Sequence, residues 1–360
     1  MNSHGANIFE ISKKNNIDLN EIMDFSSNIN PLGPSKKALD FLKENLNLLA
    51  AYPDVDYVDL KNSISNYTSV DSKNIVLGLG STEILKDSIK FFSPQRAMIL
   101  SPCYSEYERE LKSIGAEVFE FNLKESKDFK VDVDEIILAI HENKVNLLVF
   151  ANPNNPTGTI FTRDEIEKIL KETEVNLIID ETYVEFTDME IFSSTKLIDD
   201  YENIIVVRGT SKFFGLPGIR LGYGLTSNKE LLKNYEENET LWEINSAADI
   251  CGRVMFSDKE YIEKVFNFIK TEREKILQDL KDIKNLRAFE SYGNFILVKI
   301  LDGPNSTALR EKLIEDKIII RDCKTFKNLD NSFFRFCILG KDENELLIEK
   351  LRKVYEVDND

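Results

Sequence analysis

Between residues 75 and 225, short apolar runs alternate with longer amphipathic stretches. The runs at 75–80, 97–100, 147–150 and 177–179 contain no polar side chain at all. Strands with no polar side are buried on both faces, so the pattern predicts a mostly parallel sheet covered by helices. The stretch that begins at Ser81, Thr82 and Glu83 carries Ile84, Leu85, Ile89 and Phe92 at helical spacing. Another helix is announced by T-R-D-E, where Thr162 and Glu165 have the spacing of a capping box. After residue 225 the pattern changes. Ile262, Val265, Phe266, Ile269, Ile276, Leu280 and Ile283 share one face of a long helix at 261–283. A strand at 295–300, an apolar run at 318–320, a strand at 333–338 and a helix at 343–354 follow. That succession predicts a smaller α+β domain beside the α/β one. The chain shows no internal repeat and no low-complexity linker.

Composition narrows the partners. The 360 residues are 42% hydrophobic, enough for two domains. A net charge of −17 excludes a general nucleic-acid or anionic-membrane binder. Cys103, Cys251, Cys323 and Cys337 form no C-x-x-C pair, and His4 and His141 are the only histidines, so no zinc set is expected. The start, M-N-S-H-G-A-N, is polar, and no long apolar span follows, which makes the cytoplasm the simplest expected location.

Cations occur in unusual places. S-K-F-F-G-L-P-G-I-R-L-G-Y, at 211–223, sets Lys212 and Arg220 in an apolar stretch broken by Gly and Pro. Lysines normally sit on solvated faces, so this setting suggests an internal anionic ligand. A desolvated lysine is what pyridoxal 5'-phosphate (PLP) chemistry needs, because its amine forms a Schiff base with the cofactor aldehyde. Two strand ends add polar groups where open α/β sheets bind ligands. The run 147–150 stops at N-P-N-N-P-T-G, and the run 177–179 ends on Asp180 in D-E-T-Y. Gly80, Ser81 and Thr82 form a helix start suited to phosphate. A dinucleotide reading of G-L-G-S-T-E is weak, since the third glycine of the fingerprint is absent.

These segments resemble the PLP-dependent class I/II aminotransferase superfamily, of fold type I, over nearly the whole chain. The resemblance implies a large PLP-binding domain at 45–250 and a small domain formed by 1–44 with 251–360. It implies that Lys212 carries the cofactor, that Ser211 and Arg220 bind its phosphate, and that Asn155 and Tyr183 bond its phenolic oxygen. Asp180 would keep the pyridine nitrogen protonated, and Tyr104 would stack on the ring. Tyr52 matches a tyrosine that reaches the neighbouring subunit's phosphate, implying a homodimer with shared sites. Many relatives carry Ser or Thr where this chain has Gly209.

Two branches of the superfamily are similar to this chain, and both act on small phosphorylated amino substrates. H-G-A-N at 4–7, D-F-S-S-N-I-N-P-L-G-P at 24–34 and I-R-D-C at 320–323 resemble threonine-phosphate decarboxylase, an enzyme of cobalamin side-chain synthesis. The other branch is histidinol-phosphate aminotransferase, which uses 2-oxoglutarate in histidine biosynthesis. The resemblance points to His4, Asn30, Asn155, Arg321 and Arg335 as substrate-binding residues. Decarboxylation of L-threonine O-3-phosphate is the leading expectation, and histidinol-phosphate transamination is the alternative.

Overall fold

The computed structural model describes residues 7–238 and 240–356. Its seven-stranded sheet has the order Ile75–Gly78, Gly222–Leu225, Ile204–Gly209, Asn176–Asp180, Leu147–Ala151, Arg96–Ser101, Glu117–Asn122. Gly222–Leu225 is antiparallel to both its neighbours, and the other six strands share one direction. Strand alternation sorts each apolar run into two cores. Leu147, Val149 and Ala151 join Ile178, Ile205 and Val207 on one side, while Leu148 and Phe150 join Leu177, Ile179 and Val206 on the other. All five residues of Leu147–Ala151 are buried, which is why this stretch shows no polar alternation.

Helix Ser81–Phe92 buries Ile84, Leu85 and Ile89 against the sheet. Helix Arg163–Glu172 starts with the expected reciprocal cap: Thr162 Oγ1 accepts from the Glu165 amide, and Glu165 Oε2 accepts from the Thr162 amide at 2.7 Å. The long helix is Lys259–Lys281, two residues earlier at both ends than its apolar face indicates. Its start is set by Asp258, whose carboxylate accepts from the Tyr261 amide.

The C-terminal part holds a four-stranded antiparallel sheet in the order Arg321–Asp322, Phe333–Cys337, Phe295–Ile300, Leu286–Ala288. The apolar run expected at 318–320 forms only a two-residue strand, and the two residues after it join a different sheet. Ile318–Ile319 pairs in parallel with Met23–Asp24, tying the N-terminal segment to this part, and Arg321–Asp322 joins the antiparallel sheet. Helix Lys341–Tyr355 ends the described chain. Among the described residues no helix is long and apolar enough to cross a membrane.

Candidate active site

The carboxyl ends of the parallel strands hand the chain to turns that converge on one cavity of about 430 Å³. Lys212 lies three residues beyond strand Ile204–Gly209 and lines this cavity. Its Nζ donates to the Ser27 carbonyl at 2.7 Å. Burial, reinforced by the charge of Arg335, pulls its pKa down to about 8, so far more free amine is present than on an ordinary lysine. That is the state a nucleophilic amine requires.

Asp180 ends strand Asn176–Asp180. Its Oδ1 accepts from the Thr182 amide at 3.0 Å and from the Thr182 hydroxyl, and its Oδ2 accepts from Tyr107 at 2.8 Å. Burial raises the Asp180 pKa although these bonds oppose it. A cationic N–H in the cavity would relieve that burial. Thus Asp180 caps its own turn and still faces the cavity. Beside it, Tyr183 accepts from Asn28 Nδ2 at 3.1 Å and sets its ring edge against Phe295, with centroids 5.0 Å apart. Burial pushes the Tyr183 phenol up to about 12, which keeps it neutral and able to donate.

The opposite wall suits a phosphate. Ser81, Thr82, Ser211 and Arg220 all line the cavity. Ser81 and Thr82 begin a twelve-residue helix, whose free amides attract anions. Arg220 Nη1 donates to the Pro217 carbonyl and Nη2 to the Leu79 carbonyl, both at 3.1 Å. A Cβ on Gly80 would collide with the Arg220 guanidinium, and one on Gly222 would collide with the backbone of Gly80 and Ser81. Glycine at both positions lets arginine and helix start close around one point. Gly209 lies against Ser81, where an added Cβ would be 3.5 Å from Ser81 Oγ. The Ser81 hydroxyl therefore stands beside the position where many relatives carry their own.

A third group gathers positive charge. Arg321 and Arg335 are direct partners on adjacent antiparallel strands, and both line the cavity. Arg335 is 4% exposed; Nη2 donates to the Ser26 carbonyl at 2.7 Å and Nη1 to Asn155 Oδ1, while Nε has no partner among the described residues. The Arg321 Nη2 donates to Thr325 Oγ1 at 2.9 Å, and its guanidinium lies over Phe326. Burial and the charge of Arg335 lower the Arg321 pKa. Among the described residues neither arginine has a carboxylate partner, so the pair is a ready anion site.

Most of the sequence candidates meet here. Lys212, Asp180, Tyr183, Ser81, Thr82, Tyr104, Asn155, Ser211, Arg220, Arg321 and Arg335 line the cavity, and Gly80 supports Arg220. Asn30 does not belong with them. Its amide nitrogen donates to the Phe213 carbonyl and the Tyr261 hydroxyl, each at 2.9 Å, and its oxygen accepts from the Leu32 amide at 2.9 Å. These bonds tie its turn to the Phe213 segment and to helix Lys259–Lys281, and Asn30 is not among the residues that line the cavity. Two residues earlier, Asn28 lines the cavity instead, in the left-handed conformation at φ 56°. The D-F-S-x-N spacing contained that signal, but the following N-P turn drew attention to Asn30. Tyr107 and Thr182 were also missed, because their neighbours gave no sign of a shared carboxylate. Tyr52 is 77% exposed and stacks on Trp242, with centroids 4.3 Å apart, away from its own chain's cavity. His4 lies outside the described residues.

The donor set fits PLP: an amine of lowered pKa, a carboxylate for a ring N–H, a neutral phenol with an amide beside it, and a glycine-cleared phosphate cradle. Comparison with known proteins agrees. A Caldanaerobacter subterraneus subsp. tengcongensis protein, provisionally named a threonine-phosphate decarboxylase, is 38% identical, covering 98% of this chain and 94% of that protein. A histidinol-phosphate aminotransferase of Methanococcus aeolicus is 31% identical, with coverage of 96% and 93%. The crystal structure of a histidinol-phosphate aminotransferase from Clostridium acetobutylicum superposes with a TM-score of 0.86 at 35% identity, covering 92% of this chain and 98% of that one. The family pattern described as "Aminotransferase class I and II" matches residues 20–351, so only the two ends fall outside it. The chain belongs to that family and is a PLP-dependent enzyme of fold type I.

Proposed function

We propose that the enzyme decarboxylates L-threonine O-3-phosphate to an aminopropanol phosphate, the step that serves cobalamin side-chain synthesis. The observation that carries this reading is the pair Arg321 and Arg335, two guanidiniums of the Lys212 cavity with no carboxylate partner among the described residues. With the substrate phosphate seated on both guanidiniums, threonine phosphate still has an α-carboxylate to lose, whereas histidinol phosphate has none. The 38% identity over 357 residues to a chain provisionally named for this activity supports it further.

In this reading the bound cofactor supplies an electron sink for the bonds at the amino carbon. Lys212 holds it and returns a proton to that carbon after the carboxylate leaves. Asp180, braced by Tyr107 and Thr182, keeps a proton on the ring nitrogen. Asn155 and Tyr183 hold the phenolic oxygen, and Asn28 orients Tyr183. Ser81, Thr82, Ser211 and Arg220 hold the cofactor phosphate, and Tyr104 covers the ring. Arg321 and Arg335 would hold the substrate phosphate, and a substrate fixed there would present its carboxylate, not its phosphate, for loss. His4 is a further donor on resemblance alone. Tyr52 acts across a homodimer interface, and the two domains divide as 45–250 and 1–44 with 251–360. Mixed dimers of Lys212→Ala and Tyr52→Phe protomers should regain intact sites if Tyr52 serves the neighbouring subunit; no recovery would refute the shared site.

The alternative, histidinol-phosphate transamination to 2-oxoglutarate, rests on the Clostridium acetobutylicum relative at 35% identity. Each substrate is offered separately with 2-oxoglutarate, and carbon dioxide and glutamate are measured. Carbon dioxide from threonine phosphate is the expected result. Glutamate from histidinol phosphate without carbon dioxide from threonine phosphate would overturn the decarboxylase reading.

A further inference from the structure

A second groove, of about 1170 Å³, shares no lining residue with the Lys212 cavity. It lies between helix Val58–Thr68, the segment 185–190, and the junction of helices Ser246–Met255 and Lys259–Lys281. Phe41, Tyr67, Met189, Val254, Phe256 and Phe266 give it an apolar lining. Its charges are unbalanced. Asp59, Glu185, Asp188, Glu190 and Glu263 line it with Arg253 and Lys259; Glu190 is paired with Lys196 at 2.5 Å and Arg253 with Asp249 at 2.5 Å and Asp59 at 3.5 Å, which leaves Glu185, Asp188 and Glu263 against Lys259.

Glu185 is the residue that needs explaining. It is 2% exposed, and among the described residues neither carboxylate oxygen has a hydrogen-bond partner in another residue. The nearby cation, Arg208, is engaged by Glu181 at 2.8 Å, so it leaves the Glu185 charge without a direct partner. A buried carboxylate with no donor is strongly disfavoured, and burial accordingly pushes this carboxyl up to about 7. A positively charged donor entering from the groove would satisfy both oxygens.

We propose that this groove is a second ligand site, which takes an organic ammonium with a short apolar body and seats its N–H on Glu185. The apolar lining covers the body of the ligand, and the surplus of carboxylates favours the cation over a neutral analogue. Glu185 is two residues from Tyr183, so an occupant would touch the segment that leads out of the catalytic cavity.

The test is calorimetric titration of the PLP-loaded enzyme with N,N-dimethylbenzylamine just above neutral pH. This amine is cationic there and, as a tertiary amine, does not condense with the cofactor aldehyde. Saturable binding is expected, weaker by about tenfold or more for the neutral benzyl methyl ether and for Glu185→Gln, since both lose a charge-assisted bond. Asn66→Trp, on the exposed rim, should block binding and leave the cofactor absorbance unchanged. Equal binding of amine and ether, undiminished binding by both variants, or no saturable binding to the parent enzyme would each overturn the proposal.

Discussion

Replacing Glu181 with Gln should destabilise the enzyme by ~3–5 kcal/mol, the loss expected when one partner of a buried ion pair is removed. The geometry places this pair at the strong end of that range. Arg208 and Glu181 are 2% and 0% exposed at their side chains. Arg208 donates to Glu181 Oε2 from Nε at 3.1 Å and from Nη2 at 2.8 Å, and Nη2 also reaches Ser193 Oγ at 2.7 Å. The other carboxylate oxygen of Glu181 accepts from the Ser194 amide at 2.6 Å. Glutamine keeps the shape and leaves Arg208 charged at a buried site. Glu185 softens the loss only when ionised, so the effect should be larger below about pH 7 than above it. Urea unfolding at fixed excess PLP measures both pH values. Arg208→Met combined with Glu181→Leu removes both charges and should recover most of the stability. If the double variant loses as much as the two single variants together, the pair contributes nothing as a pair and the reasoning fails.

Three further outcomes follow from the cavity. PLP reconstitution of cofactor-free enzyme should speed up with pH through about 8, because a lowered lysine pKa exposes free amine earlier; a midpoint near the usual lysine value in stopped-flow absorbance would refute it. Tyr107→Phe removes a 2.8 Å bond to Asp180 and should cut kcat/KM by roughly 10–100-fold, as for other hydrogen bonds to charged groups; the altered pH dependence of the cofactor spectrum separates this from simple misfolding. Gly80→Ala should weaken PLP retention in dialysis by displacing Arg220, and retention equal to the parent's would show that the cradle tolerates a Cβ.

Four strands of the large sheet were legible because their runs are apolar and end abruptly near Pro, Gly or Asp, as at Leu147–Ala151 before N-P-N-N-P; Glu117–Asn122, with two glutamates, and Ile204–Gly209, which carries Arg208, are not wholly apolar. The cofactor residues were legible for the same reason: each follows such a break. What was missed lies where pairing is decided by distant segments. Nothing local tells that Ile318–Ile319 pairs with Met23–Asp24 and not with the antiparallel sheet. Nor does the local sequence separate Asn28 from Asn30, two asparagines of one turn. One reaches a tyrosine 155 positions away, and the other a tyrosine 231 positions away. Tyr107 binds Asp180 across 73 positions, a contact that no spacing announces.

The single reversed strand of the large sheet explains why so much of the site is written in one stretch of sequence. A strand running the opposite way begins at the edge where its parallel neighbours finish. The connection from Ile204–Gly209 to Gly222–Leu225 therefore leaves and rejoins the sheet on the same rim, and never crosses to the far side. Had Gly222–Leu225 been parallel, the chain would have travelled to the opposite rim first, and Arg220 would have been delivered a sheet's depth from Lys212. Reversal turns this connection into a clasp in which both jaws, amine and guanidinium, close from one loop. An insertion within 210–221 would change the spacing of the jaws directly, while an insertion in a helical crossover elsewhere would leave it untouched.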